Sequence, residues 1–214
     1  MIKRRRTVNY EIFLPVITAT IREKEKVDQQ LTDSEFKAVV AVAFRDAVIR
    51  FMKDTKLYRK EIPIDVWKGV TRYDIVPPEG YYVESAIELK SGNSHLPGNY
   101  SMDEKEIVLN GCCPHRDMVA AWYVEAAIVP KVTNNPCEFD EDFINRYYEA
   151  ILTAMEIRLF GMTNRTWADS RMATLKETEY RHQRNRAVRG GTDSSKPVRI
   201  RYTRLSNAMC GQKM

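Results

Sequence analysis

The sequence predicts an α+β fold: a helical bundle of two to four helices with an inserted small antiparallel β domain and an extended C-terminal arm. Three observations carry this expectation. Between Phe44 and Gly80 the apolar spacing changes from a helical period to an alternating one. Two segments with clear N-terminal caps, one before and one after the alternating region, have continuous helical stripes. Beyond Gly190-Gly191 the chain turns basic and loses any packing pattern. The predicted divisions are residues 1–60 (N-terminal segment and first long helix), 61–135 (β-rich insertion), 136–189 (helices packing on the first) and 190–214 (basic arm).

In chain order, residues 9–20 read as a short apolar element, followed by a charged connector from Arg22 to Gln30. Thr32-Asp-Ser-Glu35 has the form of a capping box, in which the threonine hydroxyl accepts from a first-turn amide and the glutamate reaches back. The helix it opens runs to about Asp54, with Phe36, Val40, Ala43/Phe44, Ala47/Val48 and Phe51 as its buried stripe. Ile62, Ile64 and Val66 then share one face of a strand, and Thr71, Tyr73 and Ile75 repeat the alternation. Val76-Pro77-Pro78-Glu79-Gly80 reads as a turn.

Tyr82–Leu89 and Glu106–Leu109 read as strands. Met118–Val129 alternates like a strand, although its alanines also permit a helix. Asp140 caps a helix predicted to run unbroken to Leu159, with Phe143, Tyr147, Ile151, Met155 and Leu159 inward and Gly161 as its stop. A further helix over about Asp169–Val188 is polar nearly all round, with only Met172, Leu175 and Tyr180 as an apolar line. Such a helix is expected to lie on or bridge to another subunit.

The net charge of +5 is unevenly spread. Lys3, Arg4, Arg5 and Arg6 contribute +4, residues 180–204 contribute +7, and Lys213 adds one, which leaves residues 7–179 at −7. An acidic body with two basic ends is suited to a negatively charged partner: nucleic acid, a membrane surface or an acidic protein face. With 43% hydrophobic residues the chain can build a sizeable core, yet no run approaches a membrane span. The basic start resembles that of a signal peptide, but Thr7-Val-Asn-Tyr-Glu11 is too polar for an apolar h-region, so export is not expected. Adjacent Cys112 and Cys113, with Cys137 and Cys210, do not suggest a disulfide framework and favour a reduced, cytosolic origin.

Signatures of chemistry are missing. Cys112-Cys113-Pro114-His115 lacks a second ligand pair at zinc spacing, and the histidines 95, 115 and 182 are far apart. No phosphate-binding glycine loop, nucleophile elbow or metalloprotease helix is present. Asp140, Glu141 and Asp142 suit a helix start, and Glu177 and Glu179 read as a solvated face. No catalytic, cofactor-binding or metal-binding residues are assigned, and an enzyme is not expected. A small hydrolase or nuclease would need activity dependent on Asp140 or His115.

The basic C-terminus admits three readings: arginines lining phosphates, a solvated helix end, or docking onto an acidic protein groove through paired carboxylates. Charge spread along a tail after two glycines favours protein docking by an extended arm. Val198–Tyr202 alternates like a strand able to join a partner's sheet edge. Arg184, Arg186, Arg189, Arg199, Arg201 and Tyr202 are the candidate arm contacts.

The passage Phe44–Gly80 resembles the head–tail connector (adaptor) proteins of tailed bacteriophages, including the tail tubular protein A group. The matching features are the helix Arg45–Phe51, the exit Thr55-x-x-Tyr-Arg59, Val66–Val70 with Gly69, Tyr73, and Pro77-Pro78-Glu79-Gly80. The helix Asp140–Leu159 and Trp167-Ala-Asp169 leading into a polar helix follow the same order, so the likeness spans roughly residues 10–190. The basic N-terminus, Cys112-Cys113 and the last two dozen or so residues have no counterpart in it.

That resemblance implies a virion protein made in the host cytoplasm and placed at the head–tail interface. It would form a homo-oligomeric ring, commonly of about twelve copies. Its arm would hold the portal protein, and its other face would recruit the tail nozzle or tube protein. Double-stranded DNA would pass through the channel without sequence recognition, and no membrane or cofactor would be involved. The alternative from the charge pattern is a DNA-binding accessory protein using its basic termini.

Overall fold

A computed structural model describes residues 7–21, 31–67, 69–91, 99–110, 119–131 and 139–194. The fold is α+β, with two hydrophobic cores, one helical and one between sheets.

Helix α1 (Leu14–Ile21) follows a 3-10 turn over Tyr10–Phe13. Helix α2 (Asp33–Thr55) opens with the predicted capping box: Thr32 Oγ1 accepts from the Glu35 amide, and Glu35 accepts from the Thr32 amide at 3.0 Å. Its predicted stripe is buried, and Ile49, Met52 and Thr55 are buried with it. The helix ends at Lys56 in the left-handed conformation (φ 55°), whose N–H closes on the Met52 carbonyl at 2.9 Å.

Strands β2 (Arg59–Val66), β3 (Arg72–Asp74), β4 (Tyr81–Ser91), β5 (Tyr100–Met102), β6 (Glu106–Leu109) and β7 (Val119–Pro130) follow; β1 (Thr7–Val8) precedes them near the N-terminus. They form two three-stranded antiparallel sheets, ordered β2-β7-β4 and β3-β6-β5. Ile62 faces Val124 and Ile64 faces Trp122 across the β2–β7 ladder. These residues share a core with Tyr73, Ile75, Leu89, Ile107 and Leu109 from both sheets. The alternation of Met118–Val129 therefore resolves as strand: Trp122, Val124, Ala126 and Ile128 point into the sheet core. Gly80 closes the predicted turn at φ 80°, where a side chain would be strained, and the Tyr81 amide bonds the Pro78 carbonyl at 3.1 Å.

β8 (Phe139–Asp140) pairs with β1 and leads into α3 (Glu141–Arg146), α4 (Tyr148–Phe160) and α5 (Ser170–Ser194). Asp140 caps α3 by accepting from the Phe143 amide at 3.1 Å, as expected. The single helix predicted to Leu159 is instead interrupted at Tyr147 (φ −117°, ψ 24°), whose N–H is shared between the Phe143 and Ile144 carbonyls. Consecutive tyrosines are drawn into different parts of the core. Tyr147 packs on Phe51 and Phe143, while Tyr148 stacks on Phe13 at 4.4 Å.

Two expectations about α5 are corrected. It does not end at Val188, and Gly190-Gly191 does not end regular structure, because the helix continues to Ser194. Each helical glycine costs about 1 kcal/mol relative to alanine, which weakens a long helix without forbidding it. Its thin apolar line is occupied within the chain: Met172, Ala173, Tyr180 and Ala187 pack on the helical core. Leu175, expected on that line, is 58% exposed.

Candidate partner-binding surface

The candidate arm residues divide between two environments. Arg184, Arg186 and Arg189 lie on helix α5, not on an extended arm. Arg199, Arg201 and Tyr202 lie outside the described residues. The surface is therefore built from α5 and whatever holds it.

Three sets of polar contacts clamp α5 to the body. Arg50 on α2 donates from a single guanidinium nitrogen, Nη2, to both carboxylate oxygens of Glu177 at 2.7 and 2.8 Å, a charge-assisted contact. The same guanidinium lies 4.5 Å from the Tyr180 ring centre. The Tyr180 hydroxyl, on a fully buried side chain, donates to Asp54 at 3.0 Å. Burial, followed by the nearby Asp54 charge, pushes the Tyr180 hydroxyl well above the usual phenol range. On α4, Glu156 is only 5% exposed and is answered by Lys176 at 2.8 Å, which also meets Glu179 at 3.0 Å. Burial alone would lower the Lys176 pKa, but the hydrogen bonds to Glu156 and Glu179 outweigh it and raise the pKa. Glu177 is thus a structural anchor, correcting its reading as part of a solvated face. Glu179 remains largely exposed while binding Lys176.

Trp167 completes the seat. Its indole N–H donates to the Leu159 carbonyl at 3.1 Å, and its ring meets Phe36 edge-on at 6.2 Å. Asp169 caps the start of α5 by accepting from the Met172 amide at 2.9 Å. Beyond Tyr180 the outward face of α5 carries Arg181, His182, Asn185 and Arg186, all exposed. Arg184 is half-buried and donates to Asn185 at 3.3 and 3.1 Å. The stretch Arg181–Arg189 thus presents a basic face on a helix held by these contacts.

The other sequence candidates have structural roles or fall outside the described residues. Asp140 is a helix cap. Cys112-Cys113-Pro114-His115, Cys137 and Cys210 are not among the described residues, within which no three metal-binding side chains come together. No helix of the described residues is long and apolar enough to cross a membrane. Sequence reasoning missed a cleft of about 840 Å³ between the α3–α4 break and the end of α5, lined by Arg146, Tyr147, Tyr148, Gln183, Arg186 and Ala187 among others. It also missed the exposure of Trp67. The tyrosine pair was visible in the sequence; the interruption of the helix that opens the cleft was not.

No protein-family model matches this chain, and neither does any curated protein.

Proposed function

We propose that the chain is a structural virion subunit, a helical body with an inserted β domain and an extended C-terminal arm. Copies of it would form a ring joining the portal of the capsid to the tail nozzle and helping to retain packaged DNA. The observation that supports this reading best is the construction of α5. It is fastened through Arg50, Asp54 and Glu156 as far as Tyr180, carries a basic outer face from Arg181 to Arg189, and runs on to Ser194. A helix held this way delivers the following basic residues to a fixed place, which lowers the entropic cost of docking an arm. Many copies of a modest contact then add up, because each further contact in a closed ring is nearly intramolecular. Residues 7–179, at −7, suit a channel wall that repels passing DNA instead of gripping it.

The test is a chain ending at Ser194, which keeps all of α5. It is expected to fold as the full chain does and to fail to join portal-containing capsids, as seen by electron microscopy of particles. Normal joining by that truncated chain would defeat the arm. A DNA-binding accessory role is favoured by one observation, the exposure of Arg181, His182 and Arg186 together. Steeply salt-dependent binding of the isolated chain to duplex DNA would make that the better reading.

A further inference from the structure

Trp67 is displayed and not packed. It is 56% exposed, whereas Trp122 and Trp167 are each 2% exposed. The turn that carries it is braced from below. The Val70 amide bonds the Trp67 carbonyl at 3.3 Å, Gly69 takes φ 79°, and the hydroxyl of buried Tyr73 lies 3.0 and 2.9 Å from the Trp67 and Val70 carbonyls. Val70 is itself exposed beside it. A large amphipathic ring on a pre-ordered turn has the character of an interface anchor, since little freedom is lost when it is buried.

The cleft at the end of α5 has the complementary character. Its volume of about 840 Å³ accommodates an indole, and Tyr147, Tyr148 and Ala187 supply apolar wall. Arg146 and Arg186 supply cations able to stack on a ring face. Gln183 donates its Nε2 to Glu179 at 3.3 Å, which orients the amide, and leaves its Oε1 buried without a hydrogen-bond partner. An indole N–H is a donor without acceptor capacity, the group such an oxygen lacks.

Trp67 cannot enter the cleft of its own chain. Tyr58, just ahead of β2, packs on Phe143 at 5.1 Å, near the cleft. Arg59 to Val66 then runs away as an extended strand spanning roughly 25 Å. A knob and a hole on separate parts of one chain make a heterologous contact, which closes into rings when the rotation between copies permits.

We infer that Trp67 of one copy seats in the α3–α4/α5 cleft of a second copy, with its indole N–H on Gln183 and its ring beside Arg186. This deepens the ring reading and rests on it for the choice of a second copy as occupant.

The experiment measures assembly mass by light scattering for the full chain, Trp67→Ala, and the double variant Gln183→Leu with Arg186→Glu, with circular dichroism confirming each fold. The full chain is expected to form multimers. Each variant alone should lose roughly 30-fold or more in association affinity, the scale of an interface hot spot. An equimolar mixture of the two variants, which retains one intact knob and one intact cleft, should give one-to-one dimers and nothing larger. Because Trp67 is the only one of the three tryptophans exposed, emission of the full chain should shift to the blue as concentration rises.

A full chain that stays monomeric, a Trp67→Ala chain that assembles normally, or a mixture that fails to pair would each overturn the contact. So would assembly gained only on removing residues 195–214, which would give the cleft to the chain's own tail. Failure here is separable from failure of the ring reading. A chain that joins portal-containing capsids without any dependence on Trp67 sinks only this contact. One that multimerises through Trp67 but never joins capsids sinks only the portal role.

Discussion

Replacing Tyr180 with phenylalanine removes a single oxygen from the centre of the α2–α5 clamp and keeps the buried ring under Arg50. At neutral pH the loss is one hydrogen bond to a charged acceptor, a class that contributes about 1.5–3 kcal/mol. The Asp54 side chain is 31% exposed, so water can replace part of that bond, and the expected cost is about 1–2 kcal/mol. The same oxygen acts in the opposite sense in base. Burial and Asp54 raise the phenol pKa in the folded protein, whereas in the unfolded chain it ionises near its ordinary value of 10. Above that value the unfolded state releases a proton that the folded state retains, so wild-type stability falls as pH rises. The decline relative to the phenylalanine variant is about 1.4 kcal/mol per pH unit. The deficit of the variant should therefore vanish roughly one unit above pH 10 and then reverse. Urea unfolding of both proteins from about pH 8 to 11.5 gives the two stabilities, with other titrating groups cancelling between them. A difference that stays constant or widens across that range would refute the buried Tyr180–Asp54 contact.

Two further outcomes test other parts of the fold. Trp167→Ala empties the space between Phe36 and α4 and removes the indole donor from the Leu159 carbonyl, which keeps its bond from the Met162 amide; it should cost about 3–5 kcal/mol in chemical denaturation and loosen α5 first in hydrogen exchange. On the outer face of β7, burial pushes the Glu125 carboxyl up, but hydrogen bonds from Lys90 and Arg59 outweigh it and hold the group below the usual carboxylate range. That contribution is present above the ordinary glutamate value and is lost as pH falls through the lowered one. Glu125→Gln should therefore be less stable than wild type near neutrality by about 1 kcal/mol, with the gap narrowing in acid-titrated thermal melts.

Elements with strong local signals were legible in the sequence. Thr32 and Glu35 announced the start of α2, and Asp140 the start of α3, because capping depends on atoms within one turn. Ile62, Ile64 and Val66 announced the buried face of β2, since strand alternation follows from backbone geometry. What was not legible depended on distant partners. The break at Tyr147 follows from Phe51 and Phe13 pulling neighbouring tyrosines apart. The persistence of α5 through Gly190-Gly191 goes against local propensity. Arg184 and Arg186 fell within the helix the sequence predicted, whereas Arg189 lay beyond its predicted end and was not legible as helical.

The sequence by itself determined the α+β class, the capped helices, the alternating strands and the separation of an acidic body from basic ends. Each follows from local spacing or from summed charge, neither of which requires knowing what meets what. Only the tertiary structure decided that Glu177 binds Arg50, that Tyr180 is buried on Asp54, that Trp67 is displayed, and that a cleft opens beside Gln183. The two anchoring contacts arise where segments more than a hundred residues apart meet, and the cleft where several helices compete for the same space. Burial of an individual side chain is settled by that competition and not by its neighbours in the chain.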